Sequence, residues 1–333
     1  MKRALIVLLV ILLLLVSAWA VLALLYAGHE GDDVVRWIAI AVFVLGSLAA
    51  FIWLRPFRRA LAVWGVGFVA ILAWWSTLHP SNDRDWQPDV AKLASAEVRG
   101  DQLTFHNVRD FDYRSETDFT PRYEDRIYDL SKLRGLDLFM SYWGSPAIAH
   151  TIMSWEFEGS RPLAISIETR KSKGQEYSAV KGFFRHYEII YIAADERDVI
   201  RLRTNYRGED DYLYRLKVTP QQARALLMDY VVSINELVKT PQFYNALVDN
   251  CTTSIRQHVT HVTSKPARVD WRLLANGYGD QMLYERGTID TKLPFAELRA
   301  RSDITATAKA LDRDPAFSQG IREGLPDPRV ATD

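Results

Sequence analysis

Three long apolar runs open the chain, at residues 4–27, 37–54 and 60–78. Each is long enough to cross a bilayer, and no charged residue sits deep inside any of them. A signal peptide is the competing interpretation of the first run, with a weak cleavage site at 17–20, but the other two runs remain in either case. The pattern therefore predicts a membrane anchor of three transmembrane helices over residues 1–79, with no ion or proton path through it.

Basic residues flank the predicted spans unevenly. Lys2 and Arg3 precede the first run, three arginines lie between 55 and 59, and the loop at 29–36 is net acidic. Positive-inside counting therefore places the N-terminus and the 55–59 loop in the cytoplasm. In a double-membrane bacterium the chain after residue 79 then faces the periplasm, and the protein is a multi-pass protein of the inner membrane.

From residue 80 onward short alternating segments replace the long apolar runs. They predict a sheet of antiparallel hairpins, followed by an amphipathic helix over 221–239 that starts with a Thr-Pro cap. The pattern indicates an α+β periplasmic domain over 80–325, a helical segment at 183–187 and a flexible tail over 326–333. The predicted strands are 96–98, 103–108, 111–114, 128–130, 133–139, 151–157, 163–170, 188–194, 198–204 and 212–218.

Cys251 is the single cysteine of the sequence and begins a predicted helix that Asp249 or Asn250 can cap. A thiol at a helix N-terminus is favoured as thiolate, which is a nucleophile when a histidine is near. The alternative is that Cys251 is one more small buried residue. In the periplasm an unpaired cysteine is exposed to oxidation, which favours a thiol that is used.

His150 and Glu168 come from two adjacent alternating strands joined by a turn near 159–161. A hairpin turning there places Glu168 opposite the start of the first strand, close to His150. A carboxylate could then hold one imidazole nitrogen while the other faces a thiol. The alternatives are a hydrogen-bonded core histidine for His150, and a surface carboxylate paired with Arg170 for Glu168.

Composition excludes several other classes. Acidic and basic residues balance at 41 each, so no bulk charge points to nucleic acid. His258 and His261 follow Cys251 on the same predicted helix, but no short Cys/His spacing typical of zinc sites is present. His258 is two turns beyond Cys251, too far to reach its sulfur. We expect neither a metal nor a cofactor.

Several separate blocks in fixed order resemble one family. The blocks are NDRDWQP, SYWGSPAIAH, AISIETRK, FFRHYEIIYIAADERDVIRLRT and YNALVDNCTT, between Asn82 and about residue 325. Together they resemble the extracytoplasmic domain of the Lnb-type lipoprotein N-acyltransferases. The resemblance implies a circularly permuted relative of NlpC-type papain-like folds, in which the histidine strand precedes the cysteine helix. It also implies Cys251 as nucleophile and His150 as base, with Glu168 as the third member.

The resemblance implies acyl transfer through a thioester, in that family from the glyceryl group of a bacterial lipoprotein to its N-terminal amine. We therefore expect a thiol acyltransferase or hydrolase that acts on lipid-linked acyl esters of lipoproteins or phospholipids. Backbone N–H groups at the helix start, around Asn250, Thr252 and Thr253, are the expected oxyanion donors. Arg170 and Trp143 are the expected substrate contacts.

Two alternatives remain at this point. One is a cysteine peptidase or amidase that cleaves cell-wall peptides, and the other is a non-catalytic envelope scaffold whose cysteine is structural. Neither the oligomeric state nor the choice between transfer and hydrolysis follows from the residues.

Overall fold

Residues 2–28, 33–263, 270–290 and 292–329 are described by a computed structural model of the chain. The chain divides into two compact units. The first comprises Met1–Arg84, Lys171–Glu188 and Gln242–Ala246. The second comprises Asp85–Arg170, Ile189–Pro241 and Leu247–Asp333. The first unit thus includes two segments, 171–188 and 242–246, that the sequence pattern places in the periplasmic domain.

Three helices of the first unit are long and apolar enough to cross a membrane. They are α1 (Lys2–Tyr26), α2 (Asp33–Trp53) and α3 (Phe57–Ser76). Ala20, Leu24, Phe43 and Ile71 pack between them, whereas most of the remaining apolar side chains stay exposed, as suits contact with lipid. The three predicted apolar helices are confirmed. Residues 29–32 of the predicted acidic loop lie outside the described residues.

The second unit is built on a mixed sheet, which in the described residues has eight strands. Seven of them follow the order β1-β2-β9-β8-β7-β6-β10, and β5 pairs with β2. A separate two-stranded sheet joins β3 and β4. The strands are β1 (Ser95–Arg99), β2 (Gln102–Arg109), β3 (Asp112–Tyr113), β4 (Phe119–Thr120), β5 (Tyr123–Asp129), β6 (Leu133–Tyr142), β7 (Ala149–Phe157), β8 (Leu163–Arg170), β9 (Glu188–Ala194) and β10 (Asp210–Arg215).

The α+β class is confirmed, and most pairings are antiparallel as predicted. The predicted hairpins at β1–β2 and β7–β8 form with Gly100 and Gly159 at positive φ in their turns. One pairing departs from the prediction, because Arg109 of β2 meets Ala194 of β9 in parallel.

The prediction of a strand over 198–204 is wrong. This stretch forms α4 (Glu196–Arg201) and a π-helical turn (Leu202–Arg207), with Asp195 accepting from the Arg197 N–H as the cap. Its charged residues alternate with apolar ones but do not mark a solvated face, since Asp198 is fully buried against Arg109. Buried charges in ion pairs mimic the polar half of a strand pattern.

The predicted helix over 221–239 is confirmed as α5 (Pro220–Lys239), which Thr219 and Gln222 close with a capping box. The cysteine-bearing helix is α6 (Cys251–Thr263). The predicted helical segment at 183–187 is instead a 3₁₀ turn, Lys181–Phe183, followed by irregular chain. Later helices are α7 (Gly279–Glu285), α8 (Phe295–Ser302), α9 (Thr305–Ala310) and α10 (Phe317–Gly320), and further 3₁₀ turns are Pro88–Val90, Leu130–Lys132, Trp271–Leu273 and Asn276–Tyr278.

The predicted flexible tail, 326–333, is described as far as residue 329. There Arg329 bonds to Glu156 on β7, and Asp327 pairs with Arg215 on β10. These ion pairs hold the described part of the tail against the sheet. Residues 330–333 lie outside the described residues.

Candidate active site

The first turn of α6 fixes the position of Cys251. Asn250 caps the helix, because its Oδ1 accepts the Thr253 N–H at 3.0 Å while the Thr253 hydroxyl accepts the Asn250 N–H at 2.9 Å. Cys251 is therefore the first helical residue, at the positive end of the helix dipole. With the Thr253 N–H taken by the cap, the N–H groups of Cys251 and Thr252 have no acceptor within the helix.

The β7–β8 hairpin carries the histidine and the carboxylate. Its register ends at the pair Ile152–Ser166, and His150 and Glu168 each lie two residues beyond that pair on their strands. His150 Nε2 lies 2.7 Å from the Ser166 hydroxyl and 3.2 Å from Glu168 Oε1. The Ser166 hydroxyl in turn donates to Glu168 Oε1 at 2.7 Å. The predicted proximity of His150 and Glu168 is confirmed, with Ser166 placed between them.

The structure brings Cys251 against His150. The two groups lie close enough for each to shift the pKa of the other, and because Nε2 of the imidazole contacts Ser166 and Glu168, Nδ1 is the ring nitrogen available to the sulfur. Both Cys251 and His150 are buried. A thiol, an imidazole and a carboxylate thus form one chain of contacts.

The neighbouring charges shift the pKa values of Cys251 and His150 in opposite directions. Burial raises the pKa of Cys251, but the positive charge of His150 outweighs it and lowers that pKa to about 6. Burial and Arg203 lower the pKa of His150, but Glu168 and the Cys251 sulfur outweigh them and raise it to about 9. Near neutral pH the pair is therefore a thiolate facing an imidazolium.

Glu168 is held as a carboxylate by three donors. Burial raises its pKa, but His150, Arg203 and the Ser166 hydroxyl together lower it well below the usual value. Arg203 Nη2 reaches Glu168 Oε1 at 2.9 Å, and its Nη1 reaches Glu209 at 2.8 Å.

Asn276 ties the two halves of the site together. Its Oδ1 accepts the Ala149 N–H at 3.0 Å, and its Nδ2 donates to the Ala149 carbonyl at 2.6 Å and to the Thr252 hydroxyl at 2.8 Å. The residues next to His150 and Cys251 thus share one amide. The following residue must be glycine, since a Cβ on Gly277 would lie 2.2 Å from the Pro146 carbonyl oxygen.

Replacing Asn276 with alanine is expected to lower kcat about 10- to 100-fold, since small displacements of a reacting pair cost that much. The reason is that the β7 end and the first turn of α6 lose their shared partner. Turnover of an acyl ester by the full-length protein in detergent measures the effect. Gln281→Ala, on exposed chain five residues later, is the matched control and should leave turnover unchanged. An unchanged kcat for Asn276→Ala would contradict the role assigned to this amide.

A fourth strand extends the polar row across the sheet. Asp211 on β10 pairs in register with Ser141 on β6, and Ser141 pairs with His150. Asp211 is fully buried, and burial raises its pKa to about 7 despite the Ser141 hydroxyl and Arg203. The row Asp211–Ser141–His150–Glu168 therefore has one carboxyl group on each side of the imidazole.

The predicted substrate contacts have different surroundings. Thr252 lies beside the thiol, with its hydroxyl 3.8 Å from Cys251 Sγ. Asn250 and Thr253 are engaged with each other in the cap. Trp143 is exposed in the loop before His150. Arg170 is buried rather than presented to a substrate, because it donates to the Val90 and Ala91 carbonyls and stacks on Trp86.

The other histidines of α6 belong to a different contact. His258 Nδ1 bonds Asp229 at 2.6 Å, and its Nε2 bonds the Tyr191 hydroxyl at 2.8 Å. His261 reaches the same Asp229 carboxylate from the surface. These bonds fasten α6 to α5. Within the described ranges, no three His, Cys, Asp or Glu side chains are grouped to hold a metal ion.

Ser166, Arg203, Asp211 and Asn276 are the residues of this site that the sequence pattern did not single out. Ser166 had a signal, since it shares the strand face of Glu168 two residues away. Arg203 lies in the stretch wrongly predicted as a strand. Asn276 and Asp211 come from segments distant in sequence, and no local pattern marks them.

Residues 119–277 match the family model described as the Lnb N-terminal periplasmic domain. The match includes His150, Glu168, Cys251 and Asn276, and it confirms the resemblance to the Lnb-type family over this range. Neither the curated proteins nor the solved structures contain a match to the chain. Three apolar helices and a domain of a periplasmic family together support an inner-membrane protein with a periplasmic domain.

Proposed function

We propose, from the match to the Lnb N-terminal periplasmic domain, that this protein is a membrane-anchored thiol acyltransferase or hydrolase of lipid-linked acyl esters. The proposal assigns residues 1–79 to the anchor, with the N-terminus in the cytoplasm, and residues 80–325 to a periplasmic catalytic domain. The permuted papain-like relationship, with the histidine strand before the cysteine helix, is part of the same proposal.

The observation that carries the proposal is the Cys251–His150 pair. A buried inert cysteine has no need of an imidazole partner, and burial alone would raise its pKa. Here the pKa of Cys251 is lowered to about 6 and that of His150 is raised to about 9. A ready thiolate beside a protonated imidazole is the resting state of a cysteine nucleophile.

Acylation then follows in balanced steps. The Cys251 thiolate attacks the carbonyl carbon of an ester, and a C–S bond forms while the carbonyl oxygen becomes an oxyanion. The Cys251 and Thr252 N–H groups at the start of α6 are the natural donors to that oxyanion. As the intermediate collapses, the ester C–O bond breaks and His150 gives its proton to the leaving alcohol. The acyl group is left on sulfur as a thioester.

Deacylation reverses the roles. An amine or water attacks the thioester carbonyl, and the now neutral His150 accepts its proton. The C–S bond breaks, so that the acyl group leaves as an amide or a carboxylic acid and Cys251 returns as thiolate. Glu168, supported by Ser166 and Arg203, orients the imidazole and stabilises its charge throughout. An amine acceptor corresponds to lipoprotein N-acylation, and water corresponds to hydrolysis.

Trapping the covalent intermediate tests the proposal. The full-length protein is incubated with a long-chain acyl ester probe or with a peptide-based thiol probe, and intact-protein mass spectrometry locates the adduct. The proposal expects an acyl adduct on Cys251 from the lipid-like probe. Labelling by the peptide probe alone would contradict the proposal and indicate a peptidase or amidase. A folded protein that neither probe labels would indicate a non-catalytic scaffold.

A further inference from the structure

The first unit contains two segments besides the three apolar helices, residues 171–188 and 242–246, which we call the collar. They pair with each other: the Ala246 N–H donates to the Gly182 carbonyl at 3.1 Å, and the Tyr244 N–H donates to the Tyr187 carbonyl at 2.9 Å. Glu188 and Phe243 form a further bridge. The collar is therefore one joined piece of structure.

The collar packs on the ends of two apolar helices. Phe184 is buried in a cluster with Ala23 and Ala27 from the last two turns of α1 and the chain that follows. His186 Nδ1–H donates to the Tyr26 carbonyl at 2.9 Å, where α1 ends. Arg185 donates to the Trp75 carbonyl at 2.9 Å, near the end of α3. These contacts place the collar at the level where the spans leave the hydrocarbon.

The collar exposes three large apolar side chains, beside the exposed polar residues Lys173, Glu176 and Gln242. Tyr177, Val180 and Phe183 recur every three residues, with exposed fractions of 51%, 48% and 38%. The same stretch contains Lys171, Lys173, Lys181 and Arg185. Exposed aromatic and aliphatic side chains among basic ones are typical of segments that lie in the interface of a bilayer.

We propose that the collar inserts Tyr177, Val180 and Phe183 into the headgroup–hydrocarbon boundary of a phospholipid bilayer, with Lys171 and Lys181 near the phosphates. Along the chain, the collar begins three residues after Glu168 and ends five residues before Cys251. The consequence for substrate, which rests on the proposed function, is that the acyl ester is a diacyl lipid resident in the bilayer.

Lipid quenching of a single fluorophore tests the insertion. Cys251→Ser removes the single cysteine of the chain, and Val180→Cys in that background accepts a bimane label. The labelled full-length protein is placed in phosphatidylcholine–phosphatidylglycerol nanodiscs with or without doxyl-labelled phospholipid. Val98→Cys is the matched control, since Val98 on β1 is likewise an exposed valine (43%). We expect several-fold stronger quenching at 180 than at 98, and equal quenching would overturn the proposal.

Activity measurements test the inference that the substrate is a bilayer-resident ester separately from the insertion of the collar. The double variant Val180→Asp/Phe183→Asp should lower acyl release from phospholipid vesicles several-fold and leave release from a soluble short-chain ester unchanged. Equal loss on both substrates would overturn the assignment of a bilayer-resident ester. Absence of any acyl adduct on wild-type Cys251 would refute the proposed function, and the quenching at position 180 would still decide whether the collar lies in the bilayer.

Discussion

Replacing Cys251 with serine is expected to lower acyl release from a phospholipid in mixed micelles by at least about 10⁴-fold, since loss of a nucleophile removes the covalent route. A serine hydroxyl in the same place is not ionised near neutral pH, and His150 has no thiolate to pair with. Release of a fluorescent acyl chain by the full-length protein measures the loss, and mass spectrometry should find no adduct at position 251.

Val259→Ala is the control on the same helix, because Val259 is exposed and lies two turns beyond the thiol. It should keep full turnover. A Cys251→Ser protein that keeps turnover within a few-fold of wild type would remove the cysteine from the mechanism and favour a scaffold or another nucleophile.

Replacing His150 with glutamine is expected to lower turnover by about 10²- to 10⁴-fold, the usual contribution of a general acid–base group. The variant also loses the positive charge that lowers the pKa of Cys251, so less thiolate is present at neutral pH. Turnover and thiol alkylation, measured on the same preparation, should therefore both fall.

His106→Gln is the matched histidine control, since His106 pairs with Asp125 at the surface of β2. It should change neither measurement. If His150→Gln lowered turnover but left the alkylation rate of Cys251 unchanged at every pH, the ion pair assigned to these two residues would be contradicted.

Local patterns predicted the elements that carry the site. The alternation of 151–157 and 163–170, with a turn between them, was enough to place Glu168 beside His150, because the register of a tight hairpin follows from its turn. The Asn-Cys-Thr-Thr start of α6 could also be predicted from the local sequence, because a helix cap involves residues within one turn. The three apolar helices needed only length and composition.

Long-range partners were not predictable in this way. Asn276 bonds to Ala149, which is 127 residues away in the sequence, and to Thr252, which is 24 residues away. No local sequence pattern predicts that an asparagine makes either bond. Arg203 was assigned to a strand because buried ion pairs on α4 and on the π-helical turn after it imitate alternation. The collar was assigned to the periplasmic domain because its contacts with α1 and α3 arise only from folding.

Alkylation of the single cysteine as a function of pH tests the central claim most directly, because any modified thiol must be Cys251. Iodoacetamide reacts with the thiolate, so its rate on the folded full-length protein follows ionisation of that sulfur. The pKa of Cys251 is lowered, which means that the thiolate persists as pH falls; the rate should be half-maximal near pH 6. A half-maximal rate near pH 9, or a thiol that stays unreactive until the protein unfolds, would contradict the paired, activated sulfur on which the account rests.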